Sequence, residues 1–195
     1  MLKFDEQTHT YTVDGLKVPS VTQIIRDSGL TGIDASDPAV QAAGQFGTAV
    51  HKMTELYDNI TLDMGTVAEE LYPYLQAWKK FLSETKAKLH ESEMRLFHPV
   101  HLYAGTFDRT AEINGKNTII DIKTSQKAPT AGIQTAAYME MYNYKLTFEK
   151  KIRSRMSVFL RPDGSYRIDS HKNKLDFNIF LSALNLYRWK LNNLK

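Results

Sequence analysis

The sequence predicts a mixed α/β (α+β) fold: a central mixed sheet carrying an antiparallel meander, flanked by helices. Three observations carry this. Two strand-like runs, 104–113 and 116–123, flank Asn114-Gly115, the strongest short signal for a two-residue type I′ hairpin. Helix-start signals recur ahead of it, at Ser20 with Gln23 three residues on and at Asp37-Pro38. The C-terminal stretch 175–193 places Ile179, Phe180, Ala183, Leu184, Tyr187 and Leu191 at helical spacing.

Taken in order, residues 3–18 alternate weakly and contain Asp14-Gly15, a second hairpin signal, so two short strands are expected there. Ser20 caps a first helix, closed by Gly29 and Gly32. Asp37-Pro38 opens a second helix that runs to about Asp58. Gly44 and Gly47 lie inside it, and each costs up to about 1 kcal/mol relative to alanine. Gly47 and His51 are one turn apart on one face, which leaves a side-chain-free patch beside an imidazole. Taken alone, such a patch is better explained by helix-on-helix packing than by a site.

Pro73 fits a first helical turn, so a third helix is expected over about 71–89, with Leu71, Leu75, Trp78 and Leu82 as its buried stripe. Residues 93–97 read as a strand leading into the hairpin. Pro129-Thr130 starts a helix reaching about Lys145, with Ile133, Ala136, Ala137 and Tyr144 available to cover the sheet. Strands over 153–160 and 166–170, joined by Pro162-Asp163-Gly164, precede the final helix. At 195 residues the chain suits one domain over 1–195, with a helical part at about 20–89 and a sheet core at about 90–170.

Composition excludes more than it identifies. A net charge of +3 does not by itself announce a nucleic-acid binder. The absence of cysteine excludes disulfides, thiolate zinc sites, iron–sulfur clusters and a cysteine nucleophile. No long apolar run and no basic-then-apolar leader is present, so a soluble, cytoplasmic protein is expected. Arginine and aromatic residues form no single-strand stacking platform along the sequence, which leaves strand type open.

The hairpin supplies the chemistry. With Asn114-Gly115 in the turn, Ile113 pairs with Lys116, and Asp108 falls opposite Asp121 in a non-hydrogen-bonded pair, with Cβ atoms roughly 4.5–5.5 Å apart. Asp121 and Lys123 share a face, while Thr118, Ile120 and Ile122 point the other way. Two carboxylates forced together repel unless a cation lies between them. A surface hairpin with one like-charge pair relieved by Lys123 is the plain alternative.

In chain order the set becomes Gly47-Thr48-x-x-His51, Glu93, Gly105-x-x-Asp108, Asp121-Ile122-Lys123 and Gln134-x-x-x-Tyr138, with thirteen residues from Asp108 to Asp121. At GTAVH, GTFD, DIK and QTAAY this resembles the RecB-like branch of the PD-(D/E)XK nuclease superfamily, over roughly 44–160. The opening run TYTVDGLKVPSVTQII is similar to the N-termini of phage-type nucleases of that superfamily. The proline of the superfamily name is missing before Asp108, where Thr106-Phe107 stand.

The resemblance implies a restriction-endonuclease-like core and a divalent cation, Mg²⁺ or Mn²⁺. Asp108, Asp121, His51 and the Ile122 carbonyl would hold the metal, with Lys123 positioning or activating water. Glu93 would orient a ligand or water, or serve a second metal. Gln134 and Tyr138 would hold the site and the nearby DNA strand. Thr124, Ser125, Gly47 and Thr48 are candidates to contact substrate. Lys145, Lys150, Lys151, Arg153 and Arg155 are candidates for sequence-independent backbone contacts.

The activity implied is a metal-dependent DNA exonuclease in recombination or end processing, phage-encoded and working in a host cytoplasm. A structure-specific endonuclease on the same core and a non-catalytic nucleic-acid-binding module are the alternatives. Partners implied are DNA, as linear duplex or single-stranded ends, and a single-strand annealing protein; an oligomer is compatible and a membrane is not. Polarity, processivity, DNA against RNA, and one metal against two are left open.

Overall fold

The Asn114-Gly115 turn adopts positive φ at both central residues, 50° and 72°, as a type I′ turn requires. It joins β5 (Tyr103–Ile113) to β6 (Lys116–Lys123) at the centre of a five-stranded sheet. The computed structural model describes residues 1–195 except Ile33, Ala35, Lys145, Lys195 and the Glu149 side chain. Lys145, expected to contact DNA, therefore lies outside the described residues.

Ahead of the hairpin come β1 (Leu2–Asp5), β2 (Thr10–Val13), β3 (Leu16–Val18), α1 (Val21–Asp27), α2 (Pro38–Asp58), α3 (Tyr72–Thr85) and β4 (Lys88–His98). After it come α4 (Ala131–Asn143), β7 (Ser154–Leu160), β8 (Tyr166–Ser170) and α5 (Asp176–Asn193). The large sheet has the order β4-β5-β6-β7-β8. Strands β4, β5 and β6 form the expected antiparallel meander. β6 and β7 are parallel, so α4 serves as the crossover between them.

Helices cover both faces. On one, α1, α4 and α5 pack Val21, Ile24, Tyr138, Phe180 and Leu184 against Tyr103, Phe107 and Ile119 of the sheet. On the other, α2 and α3 pack Val50, Met53, Leu75, Trp78 and Phe81 against Ile120, Ile122, Val158 and Leu160. β6 therefore buries alternate side chains in two separate cores, which fixes its register. Among the described residues no helix is long and apolar enough to cross a membrane.

Local chemistry explains most boundaries. Ser20 Oγ accepts the Gln23 N–H at 3.0 Å, and Asp37 Oδ1 accepts the Ala39 N–H at 2.8 Å with Pro38 behind it. The reciprocal half of the capping box is absent, because the Gln23 amide donates to the Tyr187 hydroxyl at 3.2 Å instead.

Several expectations are corrected. The N-terminal segment forms three strands, not two, because the Asp5 carboxylate accepts the Gln7 and Thr8 N–H groups and turns the chain a second time. Helix α3 stops at Thr85 instead of about 89, since Lys86 takes a left-handed φ of 52° and the chain re-enters as β4. Strand β4 is correspondingly longer than 93–97. On α5, Ile179 and Leu191 are exposed, while Phe180, Ala183, Leu184 and Tyr187 carry the packing. Tyr144 lies past the end of α4 and is exposed, so it does not cover the sheet.

Candidate active site

The pairing of β5 with β6 follows the expected register from Ile113↔Lys116 to Arg109↔Ile120, then stops one step short of Asp108 and Asp121. In a regular ladder the next bond would join the Ile122 N–H to the Phe107 carbonyl. Here Asp108 Oδ2 takes that N–H at 2.6 Å. Phe107 packs with α4 and α5, whereas Arg109, two residues on, reaches Asp58 and Trp78 beside α2 and α3. The alternation thus slips at Asp108, although the β4–β5 register is the same on either side of it. Opposite it, Glu93 has φ 48° and drops out of the β4–β5 pairing. The expected facing pair of aspartates is corrected accordingly: the carboxylates share a neighbourhood but not a ladder rung.

Around this break two groups assemble. In the first, His51 on α2 places Nδ1 3.2 Å from Asp108 Oδ1 and Nε2 3.1 Å from the Ile122 carbonyl oxygen. Glu93 joins them, and one potential ligand atom from each of His51, Glu93 and Asp108 lies within 4.8 Å of the others. In the second, Lys123 Nζ donates to Asp121 Oδ1 at 2.9 Å and to Gln134 Oε1 at 3.0 Å. Gln134 Nε2 donates to the Tyr138 hydroxyl at 3.1 Å, and Ser157 Oγ to Asp121 Oδ2 at 2.9 Å. Ile122 joins the groups: its N–H meets Asp108, its carbonyl meets His51, and Asp121 and Lys123 are its neighbours in sequence.

The electrostatics follow from burial and these contacts. Burial disfavours the charged His51 ring, but the Asp108 carboxylate outweighs it and the imidazole is raised above its usual value. Both ring nitrogens face acceptor oxygens, an arrangement satisfied by the imidazolium with a proton on each. Burial and the charge of Asp108 push Glu93 up to about 7. Burial would likewise raise Asp108, but His51, Lys123 and the Ile122 N–H hold it below the usual carboxylate range. Asp121 moves the opposite way: burial lifts it, offset only in part by Lys123. Burial opposes the Lys123 charge, yet Asp121 and Asp108 more than compensate, so the ammonium is retained.

The remaining candidates are dispersed. A Cβ at Gly47 would stand 3.5 Å from Thr124 Oγ1, which brings α2 and the end of β6 into ordinary contact. Thr48 is exposed and donates back to the Gly44 carbonyl, while Ser125 donates to the Lys127 carbonyl; both hydroxyls are locally satisfied. Arg155 is corrected from a surface cation to a buried strut, 2.8 Å from Asp176 and bonded to the Gly132 and Asn173 carbonyls. Arg153 lies over the Phe148 ring, and Lys150 and Lys151 are exposed.

Two residues escape the sequence reading. Arg109 is fully buried, 2.6 Å from Asp58 and 3.1 Å from Glu93, and donates also to Thr54 and to the Asp108 carbonyl. A lone arginine in a strand otherwise facing a core is the signal that could have found it. Ser157 pairs with Asp121 only through the parallel register of β6 and β7, which no local pattern reveals.

Close packing accounts for the glycine at 105. A Cβ there would lie 2.8 Å from Tyr138 Cε1 and 3.3 Å from Val21 Cγ2. The Tyr138 ring is buried and bonded through its hydroxyl, so it has no free path to yield. Gly105→Ala is expected to destabilise the fold by about 1–3 kcal/mol through overpacking, measured by urea unfolding. An unchanged midpoint would sink this reading of the contact.

No protein-family model matches the chain, and no curated protein matches it. Solved structures with a similar layout include an alkaline exonuclease from Laribacter hongkongensis, at 10% identity and a TM-score of 0.43, covering 85% of this chain and 86% of that one. The same exonuclease in complex with dAMP aligns at 13% identity and a TM-score of 0.43, over 90% and 88% of the two chains. A protein called SSO0001 aligns at 13% identity and a TM-score of 0.34, over 87% and 83%.

Proposed function

We propose that this chain is a divalent-metal-dependent deoxyribonuclease that hydrolyses phosphodiester bonds at DNA ends, with an exonuclease preferred to an endonuclease. The observation that carries the proposal is the meeting of His51, Glu93 and Asp108 with the Lys123 ammonium on the two sides of Ile122. The motif order and the opening TYTVDGLKVPSVTQII run support a phage-type enzyme of recombination or end processing. A single-strand annealing protein is then its natural partner.

The donor set fits a hard or borderline cation. Two carboxylates and the Ile122 carbonyl suit Mg²⁺, and the imidazole of His51 shifts the preference towards Mn²⁺. Asp121, tied to Lys123 and Ser157, would have to turn from those partners to join them. When bound, the cation would polarise the phosphodiester and lower the pKa of water. Hydrolysis breaks one P–O bond; water gives hydroxide to phosphorus and a proton to the leaving oxygen. Lys123, held by Asp121 and Gln134, presents a fixed ammonium to the charge that develops on phosphate. Tyr138 holds Gln134, and Gln134 holds Lys123, so the Q-x-x-x-Y pair acts by positioning.

The test is incubation with Mg²⁺ or Mn²⁺ of end-labelled linear duplex, single strand and closed circle. Degradation of linear DNA alone, lost in Asp108→Asn and on chelation, is expected. Cutting of the circle would sink the exonuclease preference, and activity in a chelator would sink the metal requirement.

Proton release gives an independent prediction. His51 and Glu93 both have raised pKa values in the metal-free protein, with Glu93 at about 7. Below that value Glu93 holds a proton that a cation must expel, and His51 keeps its own to a higher pH than an ordinary imidazole, so affinity falls as pH falls and levels off only once both are deprotonated. Mn²⁺ binding is expected to weaken by about tenfold per pH unit for each proton displaced. Calorimetry in buffers of different ionisation heat would count those protons, and a count of zero below neutrality would refute the assignment.

A further inference from the structure

A groove of about 1150 Å³ runs from the N-terminal sheet, past α1 and the C-terminal part of α5, to Glu93 and Tyr138. Its inner end borders the candidate active site through Glu93, which stands with His51 and Asp108, and through Tyr138, which is bonded to Gln134. Four cations line it: Lys17, Arg26, Arg95 and Arg188. The acids lining it are Asp14 and Glu93, and the Asp14 carboxylate is held by the Met1 amine. Arg26 is paired with Asp27 and Arg95 with Glu6, at 2.7 and 2.8 Å, both in exposed positions. Exposed pairs of this kind are weak and exchange readily for a phosphate.

The outer wall carries aromatic rings. His9 is exposed and stacks on Phe4, with centroids 5.7 Å apart and planes at 23°, and the Arg95 guanidinium lies 4.8 Å from the Phe4 ring. β1 and β2 bring these residues together from either end of their connecting turn, and β4 adds Arg95. The grouping is thus a product of the fold. Phe4 is itself packed against His9, Arg95 and Tyr11, so the exposed His9 ring is the face open to a base. An exposed ring beside spaced cations matches the combination by which proteins hold single strands, where unpaired bases offer faces for stacking and phosphates offer charge. A duplex keeps its base faces within its own stack.

We propose that this groove binds a single-stranded DNA end and delivers it to the active site, so that duplex must be frayed or resected to be a substrate. The proposal rests on the nuclease reading but is tested apart from it. Binding is measured by fluorescence anisotropy in chelator, where no hydrolysis occurs, using the 195-residue chain with a labelled oligonucleotide as single strand or as blunt duplex. The single strand is expected to bind at least about tenfold more tightly.

Lys17→Glu/Arg26→Glu should reduce the slope of log affinity against log salt by about 1.4, two phosphate contacts at about 0.7 each. His9→Asn removes the ring while tolerating the positive φ at this residue, 48°, and should weaken binding about fivefold or more. Equal affinity for blunt duplex, or wild-type salt dependence and affinity in both variants, would overturn the groove assignment. Hydrolysis of bis(p-nitrophenyl) phosphate with Mn²⁺ reads the active site alone. Failure to cleave it or any DNA would overturn the nuclease reading while leaving the binding result to stand or fall separately.

Discussion

Replacing Arg109 with methionine is expected to destabilise the protein by about 3–5 kcal/mol, the cost of removing one partner from a buried ion pair. The guanidinium is fully buried, and Asp58 behind it is nearly so. Asp58 also accepts the Trp78 indole N–H at 2.8 Å, so helices α2 and α3 and strand β5 meet on this one carboxylate. Burial already raises the Asp58 pKa despite both donors. Without Arg109 it would be left charged and uncompensated, or would take up a proton. Arg109→Met/Asp58→Asn should recover much of the loss, because it removes both charges and keeps the volume. Urea unfolding of the two variants measures this, and a single-variant loss under about 1 kcal/mol would refute it.

Arg109 has a second consequence, because its Nη1 also holds Glu93 at 3.1 Å. Loss of such an outer partner typically weakens metal binding by about 10–100-fold. Arg109→Met should therefore lower Mn²⁺ affinity even at a temperature where the variant is fully folded. A Glu93→Gln background should remove that difference, since no carboxylate remains there to be held. Stability and metal affinity thus test two different roles of one side chain.

The hairpin was legible because its information is local. Asn114-Gly115 selects the turn, the turn selects the register, and alternation assigns the faces as far as Arg109 and Ile120. Caps at Ser20 and Asp37 were legible for the same reason. The break at Asp108 was not, because there a side-chain carboxylate takes the N–H that a backbone carbonyl would accept in a regular ladder. Nothing within a few residues of Asp108 announces that outcome. The groove cluster of Phe4, His9 and Arg95 and the Ser157 bond to Asp121 depend on which elements become neighbours. Residue types and their order revealed the ingredients of a metal site, and the sheet determined which of them touch. The structure groups Glu93 with His51 and Asp108, and sets Asp121 with Lys123.

Lys123→Met is expected to lower the rate of phosphodiester hydrolysis by about 10²–10⁴-fold while leaving Mn²⁺ binding within a few-fold of wild type. The ammonium is the one cation bonded to the Asp121–Gln134 group among the described contacts, and its side chain is largely buried, 20% exposed. A charge in such a setting acts on developing phosphate charge more strongly than it would in bulk water. Removing it also strips Asp121 of its ion pair, and burial then favours the protonated acid, so a fold penalty accompanies the catalytic one. Lys123→Met/Asp121→Asn separates the two effects. The double variant should regain stability, because a neutral amide needs no counter-charge, yet remain as inactive as the single variant. Recovery of activity along with stability would mean that Lys123 only neutralises Asp121. Lys123→Arg offers a second check: it keeps the charge but cannot place a compact ammonium between Asp121 Oδ1 and Gln134 Oε1, so it should bind DNA normally and hydrolyse it slowly.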